Sequence, residues 1–527
     1  MASALVAILA IFPAQASIEN PSILPTPPMG FNNWARFECG LNQSLFVETA
    51  DAMVSKGLLA AGYDRIHLDD CWLQHERAPN GSLQWNTTLF PNGLIWLGEC
   101  FKGKGFHFGI YEDSGNATCG GYPGSRGHEE LDAKTFESWG VEYLKLDGCN
   151  VYPDNEQEYQ TLYSKWHQVL TSLEHPLIFS ESAPAYFSAT DNNTDWYEVM
   201  DWVPLYGELA RHSTDIAVYG LYPASHYWQS VMVNYGFEVL LARYQQPGYY
   251  NDPDFIIPDW PWLTLDEKKS HFALWSSFSA PLIISAYIPD LSDAEVEYLT
   301  NKDIIAVDQD ALAMQATLVS QDGYFDVLTK SLANGDRLLT VLNRGNYTNS
   351  TTVSIERVGL ETYHTYTVKD LWTGDSNKFS GSIHITLNTH ATAIYRISEV
   401  SSVIPTGMIF NTASLSCMTA SDTSITFTNC TALDAQVWQV SSSGTLSPLS
   451  APNKCLESSA HGVSLGRCNS RSASMRWVYH VTGNLINSAT RLCLQERAGY
   501  LGKCGEELDN QVFGLPSGVR VVRGGKV

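Results

Sequence analysis

The chain has 527 residues, 44% hydrophobic and 17% charged, enough to bury a large core and to divide into several domains. Disorder and a small disulfide-dependent scaffold are excluded on that ground. Its 32 Lys+Arg against 56 Asp+Glu leave a net charge of −24, which argues against nucleic acid, an anionic membrane surface or a polyanionic substrate, because each calls for a cationic footprint.

Residues 1–16 carry an apolar run from Leu5 to Phe12, too short to cross a bilayer. Ala14-Gln15-Ala16 fits the small-x-small cleavage rule, so a signal peptide cut after Ala16 and a secreted, extracellular protein are expected. No later segment reads as a membrane helix. N-x-S/T sequons at Asn42, Asn80, Asn86, Asn116, Asn192, Asn346, Asn349 and Asn429 support secretion and glycosylation. Eleven cysteines agree with an oxidising compartment if they pair, and the odd number leaves one over.

From about 24 to 315, short apolar strands alternate with helical stretches such as SLFVETADAMVSKGLLAAG. YDRIHLDD (63–70), FHFGIYED (106–113), VEYLKLDG (141–148), PLIFSES (176–182) and APLIISAY (280–287) are strand candidates. Repeated strand–helix units over this length predict a (β/α)8 barrel, which keeps its chemistry at the C-terminal ends of its strands. Residues 318–400 change character. YFDVLTK and RLLTVLN flank Asn334-Gly335 as a hairpin, and Ile383, Ile385 and Leu387 alternate with polar neighbours. An antiparallel β-sandwich is expected there.

The segment 411–527 repeats. Cys417, Cys455 and Cys493 are 38 residues apart, each followed by a second cysteine after 13, 13 and 11 residues (Cys430, Cys468, Cys504) and then by an aromatic, Trp438, Trp477 or Phe513. With Gln436-Val437-Trp438 this resembles the ricin-type β-trefoil, whose three subdomains carry a cysteine pair and a Gln-x-Trp. Arg476 before Trp477 departs from that motif. Sugar-binding repeats of that fold carry an Asp two residues after the first cysteine. Thr419, Glu457 and Gln495 stand there, and of these only Glu457 can replace it. A second carbohydrate at the trefoil is what the resemblance implies, weakened by those substitutions.

Carboxylates end the barrel's predicted strands: Asp69 and Asp70, Asp113, Asp147, Glu181, then Asp215 and Asn251-Asp252-Pro253-Asp254. HEXXH and CxxC spacings, a Gly-rich phosphate loop and a G-x-S-x-G elbow are absent, so neither metal nor cofactor is expected. Carboxylates without such equipment point to glycoside hydrolysis, in which one acts as nucleophile or base and another donates a proton. A carboxylate-lined sugar-binding barrel is equally open on chemistry alone.

TPPMGFNNW (26–34), IHLDDCW (66–72), GIYEDSGNATCGGYPGS (109–125), YLKLDGC (143–149), ARHSTDI (210–216) and YNDPD (250–254) occur in order. Together they resemble the retaining α-galactosidases of the (β/α)8 glycoside hydrolase family that also contains α-N-acetylgalactosaminidases. The resemblance implies Asp147 as nucleophile and Asp215 as general acid/base, with Asp195 and Asp201 as rival acids. Ala210 stands before Arg211 where the family has Trp. The resemblance also implies a sugar pocket of Trp34, Asp69, Asp70, Tyr111, Lys145, Glu181, Arg211 and Asp254. Lys145 is two residues from Asp147, so both side chains share a face, and its charge favours the ionised nucleophile. Asp252 supports Asp254 or shapes its turn. Glu181 is expected at the sugar's 2-position, reaching a hydroxyl and leaving no room for an acetamido group. The following Ser182-Ala183-Pro184-Ala185-Tyr186 departs from the family pattern.

By the same resemblance Cys39–Cys71 and Cys119–Cys149 bridge the barrel, and Cys417–Cys430, Cys455–Cys468 and Cys493–Cys504 staple the trefoil. Cys100 remains as a buried free thiol. The expectation is an exo-acting, retaining α-galactosidase for galactose-containing oligosaccharides or polysaccharides, without nucleic-acid or membrane partners. An α-N-acetylgalactosaminidase and a non-catalytic galactose lectin are the alternatives.

Overall fold

The computed structural model describes residues 23–188, 193–459, 462–497, 500–505 and 508–524; the expected signal peptide and Asn192 lie outside them. Eight parallel strands come first: β1 Met29–Asn32, β2 Arg65–Leu68, β3 His107–Asp113, β4 Tyr143–Asp147, β5 Ile178–Glu181, β6 Leu209–Arg211, β7 Tyr250–Asp252 and β8 Leu282–Ile284. They pair in the order β7-β6-β5-β4-β3-β2-β1-β8. Ile256, just past β7, closes the ring onto β8. Its amide donates to Ile283 O and its carbonyl accepts from Ser285 N, both at 2.8 Å. Helices follow the strands and cover the barrel, so the strands are buried on both faces and read as apolar runs. Helix starts are capped by side chains that answer unpaired amides: Asn42 accepts from Leu45 N, and Thr264 with Glu267 forms a reciprocal capping box.

Strands β1, β6 and β7 were not among the predicted strands. Each has three or four residues, too few to show a period of their own.

The next unit has β9 Thr317–Gln321, β10 Phe325–Ser331, β11 Arg337–Asn343, β12 Asn349–Ser354, β13 Tyr366–Asp370, β14 Ser376–Phe379, β15 Ser382–Leu387 and β16 Thr392–Ser398. A six-stranded antiparallel sheet, β14-β13-β16-β11-β10-β9, packs against the β12–β15 pair. The expected β10–β11 hairpin forms, with Ser331 opposite Arg337 and Gly335 at φ +91° in its turn. Ile383 and Ile385 point inward.

The third unit is the β-trefoil. Its core gathers one aromatic per repeat: Trp438, Trp477 and Phe513. Trp438 Nε1 donates to Met418 O at 2.7 Å and Trp477 Nε1 to Leu456 O at 3.0 Å, each the residue after the repeat's first cysteine. The third repeat buries Phe513, which has no N–H to place. Tyr197 Oη donates to Thr412 Oγ1 at 2.7 Å and Arg243 Nε to Val481 O at 2.8 Å, which ties the trefoil to the barrel.

All five expected disulfides are formed, and Cys100 is free and half-buried. Among the described sequons, Asn42, Asn80, Asn116, Asn346 and Asn429 are exposed, and Asn86 and Asn349 are half-buried. Among the described residues, no helix is long and apolar enough to cross a membrane.

Candidate active site

A cavity of about 440 Å³ opens at the C-terminal ends of the barrel strands. Trp34, Asp69, Asp70, Tyr111, Lys145, Asp147, Arg211 and Asp215 line it. These eight residues come from five different strand ends, which is how a barrel assembles one site from distant sequence.

Strand β4 places Lys145 and Asp147 on its inner face, two residues apart. Lys145 Nζ reaches Asp69 Oδ2 at 2.7 Å and stands 5.1 Å over the Tyr111 ring. Burial opposes its charge, but Asp69 and Asp147 outweigh that and push it up to about 12, so it stays cationic. Asp147 Oδ1 accepts from Gly148 N at 3.0 Å and from the Tyr186 hydroxyl. Its Oδ2 lies 3.5 Å from Cys119 Sγ. The carboxylate is thereby held by donors on one oxygen, while its other oxygen rests against the Cys119–Cys149 bridge.

Asp69 and Asp70 both reach the cavity because β2 stops at Leu68 and the chain turns through Cys71, at φ +74°. Asp69 Oδ2 also accepts from Asn32 Nδ2 at 2.8 Å. Asp70 accepts from Cys71 N at 2.6 Å and from Gly120 N at 2.7 Å. Burial nevertheless raises the Asp70 carboxyl above its ordinary value.

Arg211 ends β6 and spans two carboxylates. Nη2 donates to Asp215 Oδ1 at 2.7 Å, and Nη1 lies 3.0 Å from Asp254 Oδ1. Asp215 stands at the mouth with its side chain 61% exposed. What desolvation it feels acts upward, but Arg211 and then Lys145 hold the carboxyl below its ordinary range.

Two expected sugar contacts are placed elsewhere. Glu181 is fully buried and does not line the cavity. Ser180 faces the barrel interior beside Lys145 and Ser182 lines the cavity, so the two-residue period turns Glu181 outward. Its carboxyl lies against Gly207, where a Cβ would come within 2.4 Å of Oε1. Burial, then the charge of Glu208, raises it well above the usual carboxylate range. Asp254 is also buried away from the cavity and lines a small inner void. At φ +77° it turns back to accept from Ile216 N at 2.6 Å and to face Arg211. It therefore orients Arg211 and the Asp215 loop. Asp252 Oδ1 accepts from Asp254 N at 2.8 Å, which shapes that turn. Asp201 accepts from Tyr244 Oη at 2.9 Å, and neither it nor Asp195 lines the cavity.

Asp113, at the end of β3, is the cross-strand partner of the nucleophile candidate Asp147. It accepts from Gly115 N at 2.7 Å and Cys149 N at 2.8 Å. Burial, then the charge of Asp147, pushes it up to about 8. Ligand atoms of Asp113, Cys119, Asp147 and Cys149 lie within 4.8 Å of one another. The two sulfurs are bonded to each other and offer no thiolate to an ion.

Residues 26–310 match the family model described as alpha galactosidase A. The chain belongs to the α-galactosidase A family. It is accordingly a glycoside hydrolase. Residues 322–397 match the alpha galactosidase C-terminal beta sandwich domain and 405–513 the ricin-type beta-trefoil lectin domain. An alpha-galactosidase A of Aspergillus niger is 60% identical over 98% of this chain and 97% of its own. An alpha-galactosidase of Cyamopsis tetragonoloba is 34% identical over 70% of this chain and 85% of its own. The solved alpha-galactosidase I of Mortierella vinacea superposes with a TM-score of 0.66 at 24% identity, over 73% of this chain and all of its own.

Besides the two bridge cysteines, six further cavity residues were not assigned to the family site from sequence: Ser182, Ala185 and Tyr186, then Ser213, Thr214 and Tyr222. The first three lie in the short 3-10 turn after β5, Ala183–Tyr186, or just before it. Tyr222 belongs to the loop after Asp215. None has a charge or a spacing that announces it; only the fold brings them to the cavity.

Proposed function

We propose that the chain hydrolyses terminal non-reducing α-D-galactosides with retention, with Asp147 as nucleophile and Asp215 as acid/base. Asp147 attacks the anomeric carbon and forms a galactosyl ester. Asp215, protonated, gives its proton to the departing glycosidic oxygen. Water then enters, loses a proton to Asp215 and releases galactose from Asp147, which regenerates both groups. The observation that carries this reading is that the two carboxylates share one cavity with Lys145 and Arg211: Arg211 pairs with Asp215, and Lys145, paired with Asp69, stands two residues from Asp147 on the same strand. Asp69 and Asp70 would accept from sugar hydroxyls, and Trp34 would cover a C–H face.

Asp215 begins deprotonated beside Arg211. Sugar hydroxyls that take up Arg211 hydrogen bonds, together with exclusion of water, raise its affinity for a proton once substrate is bound.

A second reading has an observation in its favour. With Glu181 turned outward, the cavity wall after β5 consists of Ser182, Ala185 and Tyr186, and the bulk expected to repel an acetamido group is missing. An α-N-acetylgalactosaminide is then a second substrate. Paired chromogenic α-galactoside and α-N-acetylgalactosaminide substrates, assayed on wild type beside Asp147→Asn, test both. Release abolished by the substitution supports the nucleophile, and the ratio of the two rates identifies the sugar. Galactose binding without any release would return the lectin reading.

Segments 24–315, 318–400 and 411–527 are read as catalytic barrel, sandwich and carbohydrate-binding trefoil. In the trefoil, Thr419 Oγ1 accepts from Gln436 Nε2 at 3.0 Å and Glu457 Oε1 accepts from Ser474 Oγ at 2.8 Å; Glu457 is the one carboxylate of the three positions. We propose the middle repeat as the position of a second carbohydrate. Five disulfides fit an oxidising, extracellular setting.

A further inference from the structure

The loop after Asp215 carries an aromatic ring to the cavity that no part of the glycosyl pocket uses. This inference rests on the reading of Asp215 as the acid/base. Residues 216–220 are fastened from below: Ile216 N to Asp254 Oδ2 at 2.6 Å, Ala217 N to Ser230 Oγ at 2.9 Å, Tyr219 N to Ala35 O at 2.8 Å and Gly220 N to Tyr227 Oη at 3.1 Å. The Arg36 guanidinium lies 3.7 Å over the Tyr219 ring and adds to that anchorage. Beyond these anchors Leu221 and Tyr222 stand out into solvent, 63% and 44% exposed. Tyr222 lines the cavity together with Asp215. Its ring is stacked on His226, centroids 4.2 Å apart and planes 25° from parallel, one turn into the helix Ala224–Glu238.

Small-molecule sites combine aromatic walls with a few polar groups, and Tyr222 adds such a wall to a cavity lined mainly by charged and polar side chains. The acid/base must reach the glycosidic oxygen, so the leaving group lies beside Asp215. Leu221 and Tyr222 are the exposed apolar groups of the same loop. The ring carries no charge, and neither does Leu221. An apolar C–H face of a pyranose fits such a platform, whereas a phosphate or carboxylate aglycone finds no partner in it. We propose that Tyr222, backed by His226, is the stacking platform for the sugar next to the galactosyl residue.

The test compares kcat/KM on an α-galactosyl disaccharide with that on α-galactosyl fluoride, which has no leaving sugar. Tyr222→Ala should lower the disaccharide-to-fluoride ratio about tenfold, within the range of one lost stacking contact. Tyr222→Trp should hold the ratio near wild type. His226→Ala should lower it less, and should add little in the Tyr222→Ala background, because it acts through the ring. A ratio unmoved by Tyr222→Ala, whether both rates fall together or neither does, overturns the proposal. A wild type that cleaves neither substrate overturns the underlying galactosidase reading, and this inference with it.

Discussion

Arg211 Nη2 and Asp215 Oδ1 are 2.7 Å apart, joined across a four-residue turn at the mouth of the barrel. This pair holds the acid/base candidate in its ionised form while the cavity is empty. A general acid works only when protonated, and a carboxyl held low loses its proton early as pH rises. We expect kcat/KM to fall with rising pH through the acidic range. The alkaline limb of kcat should lie at higher pH than that of kcat/KM, since bound sugar draws Arg211 away. Coincident limbs, or kcat/KM still rising at neutral pH, would contradict this account.

Asp147→Ala should reduce hydrolysis at least about 10³-fold with little change in stability, because it removes the atom that forms the intermediate. Azide should then restore turnover by attacking from the vacated face, yielding the β-galactosyl azide. Recovery of the α-azide from this variant would assign the nucleophile elsewhere.

Asp215→Ala should lose about 10²–10⁴-fold on a disaccharide, the usual worth of a positioned acid/base. The loss of kcat/KM should be much smaller on a dinitrophenyl galactoside, whose leaving group needs no proton. Equal losses on both substrates would mean that Asp215 serves binding instead.

Glu181→Gln replaces a buried carboxyl, raised by burial well above its usual range, with an amide of the same shape behind the cavity wall. The ratio of galactoside to acetamido-sugar hydrolysis should not move. Ala185→Leu, which puts bulk on the wall itself, should lower acetamido-sugar hydrolysis preferentially. The reverse pattern would restore Glu181 as the residue that reads the 2-position.

Removing the bridge in a Cys119→Ser/Cys149→Ser variant should cost about 2–4 kcal/mol of stability, the common range for a native disulfide. Activity should fall as well in the folded variant, because the Cys119 sulfur touches Asp147 and the Cys149 amide holds Asp113. Calorimetry and single-turnover kinetics read the two effects separately.

Much of this molecule is legible in its residues. LDDCW, LKLDGC and the 38-residue cysteine repeat each combine chemistry with spacing, and the resemblances they carry imply the barrel, the cavity carboxylates, the trefoil and the five disulfides that form. Lys145 and Asp147 could be placed together because a two-residue offset on a strand preserves the face. The phase of β5 could not be read in the same way. PLIFSES is apolar on both sides of the strand because a parallel barrel strand is buried on both faces, so nothing local says whether Ser180 or Glu181 looks inward. Asp254 was likewise seen as a cavity residue, and it takes a left-handed turn to reach Arg211 from below. Tyr186 and Tyr222 carry no signal beyond being tyrosines in loops. Composition and spacing determined which groups this protein owns. The strand register, the points at which strands end and the loops that fold back over the barrel decided which of those groups meet in one cavity.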